Sequence, residues 1–145
     1  MPETHLLRPD GTTVSSGVLH AVGPTLVMIG HKDCKTTRQT LPFIDQIHKD
    51  GGRAIALLQD APEEAKAALM KLGLTLPFLS EESPFALSAA IGVATVPTLL
   101  FIEADGTVAL TSEAFRRPDI EAFALRLGAP KPVIANDTMP GFKPG

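Results

Sequence analysis

Apolar residues run almost without interruption through PTLVMIG, from Pro24 to Gly30, and again through GRAIALLQD. Runs of this length predict strands buried on both faces of a mainly parallel sheet. Between them, HKDCKTTRQTLPFIDQIHKDGG carries Leu41, Ile44 and Ile47 at helical spacing and stops at Gly51-Gly52, so a helix follows the first strand directly. Pro42 lies inside that helix, where a missing backbone donor predicts a kink. PEEAKAALMKLG predicts a second helix, with Pro62 at its start, Glu63 and Glu64 early, Lys71 late and Gly73 as the stop. LPFLSEESPFALSAAIG reads as a short strand from Leu76 to Leu79, then a helix opened by Ser83-Pro84 and closed by Gly92. VATVPTLLFIEADGTVALTSE predicts two antiparallel strands turning at Asp105-Gly106. PDIEAFALRLG is the last helix, with Pro118 early and Gly128 closing it. Ahead of this core, HLLRPDGTTVS reads as a strand pair turning at Asp10-Gly11.

The alternation of buried strands and amphipathic helices predicts one α/β domain with a central mixed β-sheet flanked by α-helices. Its 145 residues, 44% of them hydrophobic, suffice for one core and are too few for two. The domain is expected over residues 1–128. Residues 129–145, APKPVIANDTMPGFKPG, are rich in Pro and Gly and predict an extended tail. A net charge of -3, from 13 basic and 16 acidic residues, supplies no cationic field for nucleic acid. No apolar run approaches the length that crosses a bilayer, and MPETHLLRPDG lacks the pattern of a secretory leader, so the expectation is a cytoplasmic protein, or an extracytoplasmic one if a leader has been removed, without a membrane partner. One cysteine, Cys34, excludes an intrachain disulfide.

A strand, a cysteine at the start of the next helix, a proline within that helix, a further βα unit and a closing T-V-P-T hairpin with a final helix together resemble the thioredoxin superfamily. Within it, the chain is similar to the TlpA and ResA thiol-disulfide oxidoreductases, a branch that grades into peroxiredoxin-like (AhpC/TSA-related) domains. The likeness spans roughly Leu6 to Gly128. It implies a thioredoxin-like fold with Cys34 at the nucleophile's position in a site that reads Cys34-Lys35-Thr36-Thr37-Arg38, followed by Pro42. Thr37 stands where the resolving cysteine would be, giving a C-x-x-T site. Val96-Pro97-Thr98 matches the segment that carries the family's cis-proline, making Pro97 the candidate, with Thr95, Val96 and His31 as candidate substrate-facing residues. Three departures narrow the activity. Asp33 replaces the tryptophan that usually precedes the cysteine, and Met28 occupies the place of a buried proton-transferring carboxylate. Val27 and His31 stand where the peroxide pocket pattern P-x-x-x-T-x-x-C requires proline and threonine, which argues against a peroxidase. The Gly-Gly-Asp with which glutaredoxins hold glutathione is absent.

A cysteine at a helix N-terminus faces free amide groups and the positive end of the helix dipole, which favour thiolate, as do Lys35 and Arg38, while Asp33 opposes it. Thr37 would bond either the sulfur or a local carbonyl. Without a second thiol, a mixed disulfide at Cys34 requires an outside thiol for release. The functional expectation is therefore single-cysteine thiol-disulfide exchange with a protein or small-molecule disulfide. The alternatives are a redox-inactive protein-binding module and an oxidant-sensing thiol. No cofactor is expected. His31 and Cys34 form an H-x-x-C pair, but His5, His20 and His48 share no spacing with it, so no metal site is expected either. Glu63, Glu64, Glu81 and Glu82 read as helix caps or solvated faces, and Arg116-Arg117 as surface residues.

Overall fold

The computed structural model describes Met1–Gly145. A β-hairpin opens the chain, β1 (His5–Leu7) against β2 (Thr13–Ser15), followed by a short 3-10 turn over Ser16–Leu19. Then come β3 (Thr25–Gly30), α1 (Lys35–Lys49), β4 (Ala54–Leu58), α2 (Pro62–Lys71), β5 (Phe78–Ser80), α3 (Ala86–Ile91), β6 (Thr98–Ile102), β7 (Val108–Glu113), β8 (Phe115–Arg116), α4 (Arg117–Arg126) and β9 (Phe142–Lys143). Seven strands form one mixed sheet in the order β2-β1-β5-β4-β3-β6-β7. The pairs β3–β4 and β4–β5 are parallel, whereas β6 runs antiparallel to both β3 and β7. Strand β3 lies between β4 and β6, beside the central strand β4, and is fully buried, as its unbroken apolar run predicts.

The two-residue alternation of side chains divides the core between the faces of the sheet. Leu26 and Met28 of β3, Ala54, Ala56 and Leu58 of β4, and Leu99 and Phe101 of β6 face α1, α2 and α4, meeting Phe43, Ile44, Ile47, Ala65, Leu69, Ile120 and Phe123. Val27, Ile29, Leu57, Leu100 and Ile102 line the other face, under Leu87 of α3 and Leu19 of the 3-10 turn. Burying each such large aliphatic side chain contributes about 1.5–3 kcal/mol, so this double-sided core holds the end of the sheet at which the candidate site sits.

Two elements begin elsewhere than their sequence suggests. The short strand is Phe78–Ser80 rather than Leu76 to Leu79. Helix α3 starts at Ala86 and not at Ser83-Pro84: that peptide bond is cis, and Phe85 takes a left-handed conformation as the residue before the helix. The cap comes from Glu81, buried at 3% exposure, whose Oε2 accepts the amides of Leu87 (2.7 Å) and Ser88 (3.2 Å) and whose Oε1 meets the Ser88 hydroxyl. Helix α1 continues through Pro42 without a break.

Candidate functional site

The site forms where β3 ends and α1 begins. Gly30 closes β3, and four residues later Cys34 is the N-cap of α1, in extended conformation, with its carbonyl accepting the Arg38 amide (3.1 Å) that starts the helix. Gly30 is required at this junction by packing. A Cβ there would lie 2.6 Å from Thr37 Cγ2, closer than real side chains come, and a tight 3.0 Å from Met28 Cε. Only a hydrogen lets Thr37 close down on the strand, and Thr37 is completely buried.

Cys34 is partly exposed, and its thiol donates to the carbonyl oxygen of Val96 at 3.5 Å. The Val96–Pro97 peptide is cis, Pro97 is buried, and its carbonyl accepts the Ala114 amide (2.8 Å), which ties this corner to the start of β8. Cys34, Val96, Pro97 and Thr95 thus meet at one end of the sheet, with the Thr98 hydroxyl bonded to the Thr95 carbonyl (2.6 Å) beneath them. The Thr37 hydroxyl takes neither partner that its sequence position suggests. Its oxygen accepts from the amide of His31 (3.4 Å), bracing the loop ahead of the cysteine.

The charges around the thiol are arranged differently from the sequence expectation. Arg38 turns its guanidinium onto the Lys32 carbonyl (2.8 Å), and Asp33 pairs with Lys32 (3.3 Å), so both are engaged within the loop. Burial pushes the carboxyl of Asp60 above its ordinary range, with the Lys32 amide, His31 and Lys32 acting in the opposite direction. Met28 cannot titrate, as its position in β3 implies, yet a buried carboxylate stands close by: the Asp60 side chain is 1% exposed. Its Oδ2 accepts the Lys32 amide (2.9 Å), and its Oδ1 lies 3.3 Å from His31 Nε2. His31 Nδ1 accepts the Asp33 amide (3.1 Å), and since an amide can only donate, the ring's proton resides on Nε2, facing Asp60. Sequence reasoning missed Asp60. The signal lay in the parallel register that sets Gly30 opposite Leu58 and bonds Gln59 to Gly30, which brings the residues following each strand together. Glu63 and Glu64 occupy the first turn of α2. Arg117 has a tertiary role beyond a surface residue's: its guanidinium sits 5.3 Å from the ring centre of Phe43 and bonds the Met139 carbonyl (2.8 Å).

No protein-family model matches the chain, and no curated protein matches it. Solved structures do. A thiol:disulfide interchange protein of the thioredoxin family from Chlorobium tepidum superposes with a TM-score of 0.66 at 19% identity, over 87% of this chain and 93% of that one. A secreted disulfide oxidoreductase of Mycobacterium tuberculosis, homologous to DsbE of E. coli, gives 0.67 at 16% identity, over 86% and 96%. The peroxidoxin BcpB of the same organism gives 0.68 at 15%, over 88% and 94%. Likenesses of this kind establish the architecture: the chain has the thioredoxin fold.

Proposed function

We propose that this thioredoxin-fold chain exchanges thiol for disulfide through Cys34 alone. The observation that carries the reading is the placement of its one thiol: partly exposed at the N-terminus of α1 and against the Val96 carbonyl. In the reaction, the Cys34 thiolate attacks one sulfur of a partner disulfide. The partner's S–S bond breaks, the second sulfur leaves as a thiolate that takes up a proton, and a mixed disulfide joins Cys34 to the partner. Thr37 has no sulfur with which to release that bond, so a second, external thiol attacks it, regenerates Cys34 and becomes oxidised in its place. Proteins or small molecules carrying a disulfide are the matching partners, and Val96 with Thr95 would orient them beside the sulfur.

A redox-inactive binding module is the second reading, favoured by the buried Thr37 at the resolving position. Incubating the full chain with 5,5′-dithiobis(2-nitrobenzoic acid) separates the two. Exchange requires one thionitrobenzoate adduct on Cys34, discharged by dithiothreitol and absent in Cys34→Ser. A folded chain that forms no adduct overturns the exchange reading.

A further inference from the structure

The segment after Gly128 lies along the body of the domain. Ala129 is buried, and Ile134 and Met139 pack on the core. Arg117 pairs with Asp137 (2.9 Å), and its amide bonds the Gly141 carbonyl (2.8 Å). Phe142 and Lys143 then form β9 against β8, with the Arg116 guanidinium 4.5 Å from the centre of the Phe142 ring. This path delivers the last residues to the groove. The Thr36 hydroxyl donates to the Pro144 carbonyl at 2.6 Å. Gly145 approaches Val96 so closely that a Cβ would collide with the Val96 carbonyl oxygen and come within 3.0 Å of Thr95 Oγ1. That oxygen is the one the Cys34 thiol bonds.

The geometry points to a peptide-binding site beside Cys34 that accepts an extended chain with glycine over Val96, and to residues 140–145 as its resident occupant, which an incoming disulfide peptide must displace. Thr36 reads the backbone of the occupant, not its side chains, because it donates to a carbonyl. Pro140 and Pro144 restrict their own φ and so lower the entropy lost when the segment lies extended. Strand β9 holds the segment next to the groove, so occupancy is an intramolecular event with a high effective concentration. An uncovered single thiol accumulates mixed disulfides that nothing internal resolves, and a cover that yields to a better-fitting chain limits this. The occupancy stands independently of the chemistry at Cys34; its effect on reactivity rests on the exchange reading above.

The test compares the full chain with Gly145→Val, whose Cβ the groove cannot admit. Backbone 15N relaxation should find the amides of Phe142, Lys143 and Gly145 as rigid as the core in the parent, and that of residue 145 mobile in the variant. Reaction of Cys34 with 5,5′-dithiobis(2-nitrobenzoic acid) should accelerate several-fold in the variant, because the uncovered fraction rises. An excess of the synthetic peptide MPGFKPG should slow the variant toward the parent rate. Thr36→Val, which removes the hydroxyl on the other side of the contact, should act in the same direction as Gly145→Val. Parent residues 142, 143 and 145 as mobile as in the free peptide would overturn the inference whatever the thiol does, and a variant that frees the tail yet reacts at the same measurable rate as the parent would overturn the cover over Cys34. A tail that is rigid in the parent and freed in the variant, with Cys34 inert in both, would support the occupancy and overturn the exchange reading alone.

Discussion

His31 Nε2 stands 3.3 Å from Asp60 Oδ1, the Nε2–H pointing at a carboxylate whose side chain is almost wholly withdrawn from water. Burial is the largest influence on Asp60, and it raises the pKa. A carboxyl whose folded pKa is raised favours the folded state most when protonated. Its contribution is complete below the unfolded pKa and is lost as pH rises through the folded one. Asp60→Asn removes that loss and keeps an acceptor for the Lys32 amide, while giving up the bond from His31 Nε2. The variant should melt above the parent at neutral pH, with the two curves converging in acid. A variant that melts lower at neutral pH would show that the bonds to the carboxylate outweigh its burial.

Thr37→Cys restores the C-x-x-C spacing within the first turn of α1, where the side chain at position 37 is packed against Gly30. The introduced thiol would attack the mixed disulfide on Cys34 and free the reduced substrate. Insulin reduction driven by dithiothreitol should therefore run faster than with the parent, and Cys34→Ser in the same background should abolish the gain. A folded variant that forms the disulfide and accelerates nothing would leave the groove as a binding surface.

Asp45, on α1 and 2% exposed, accepts the amides of Thr75 (3.0 Å) and Leu76 (2.8 Å) and pairs with Lys49 (3.0 Å). Asp45→Ala strands the buried Leu76 amide and the partly buried Thr75 amide and should cost about 1–3 kcal/mol, read as a lower denaturant midpoint. Lys49→Met, which removes only the more exposed partner, should cost under about 1 kcal/mol.

Gly30→Ala places a methyl group where Thr37 Cγ2 and Met28 Cε already stand, and should destabilise by about 1–3 kcal/mol. Thr37→Ser removes the Cγ2 methyl, so the double variant should recover part of that loss. Strict additivity in denaturant unfolding would mean that the two side chains do not meet.

Much of this architecture is written locally. The unbroken apolar run at Leu26 to Ile29, the glycine stop at Gly51-Gly52 and the Asp105-Gly106 turn each depend on neighbouring residues alone, and so does the position of Cys34 between strand and helix. What the sequence conceals depends on distant parts. Asp45 sits on a helix as any polar residue would, and its purpose appears only when a loop thirty-one residues further along the chain brings Leu76 to it. Asp60 acquires its neighbours through the pairing of β3 with β4. Glu81 reads as a cap or a solvated face, and only the fold decides for the cap, since α3 needs its carboxylate where Phe85 supplies no side-chain cap. The Pro- and Gly-rich composition of residues 129–145 predicts extension but carries nothing about where the segment lands.

Arg117 joins residues 137 and 139 without a covalent link, by contacts that are partly open to solvent: the side chains of the Arg117–Asp137 pair are 27% and 23% exposed. The segment beyond it can consequently open on its own while the sheet stays intact, at a small fraction of the free energy of global unfolding. Dissolved salt weakens attraction between exposed charges, with a screening length near 8 Å at about 0.15 M. If the tail occupies the groove as inferred, ionic strength would set how often it lifts from beside Cys34, acting through the Arg117–Asp137 pair.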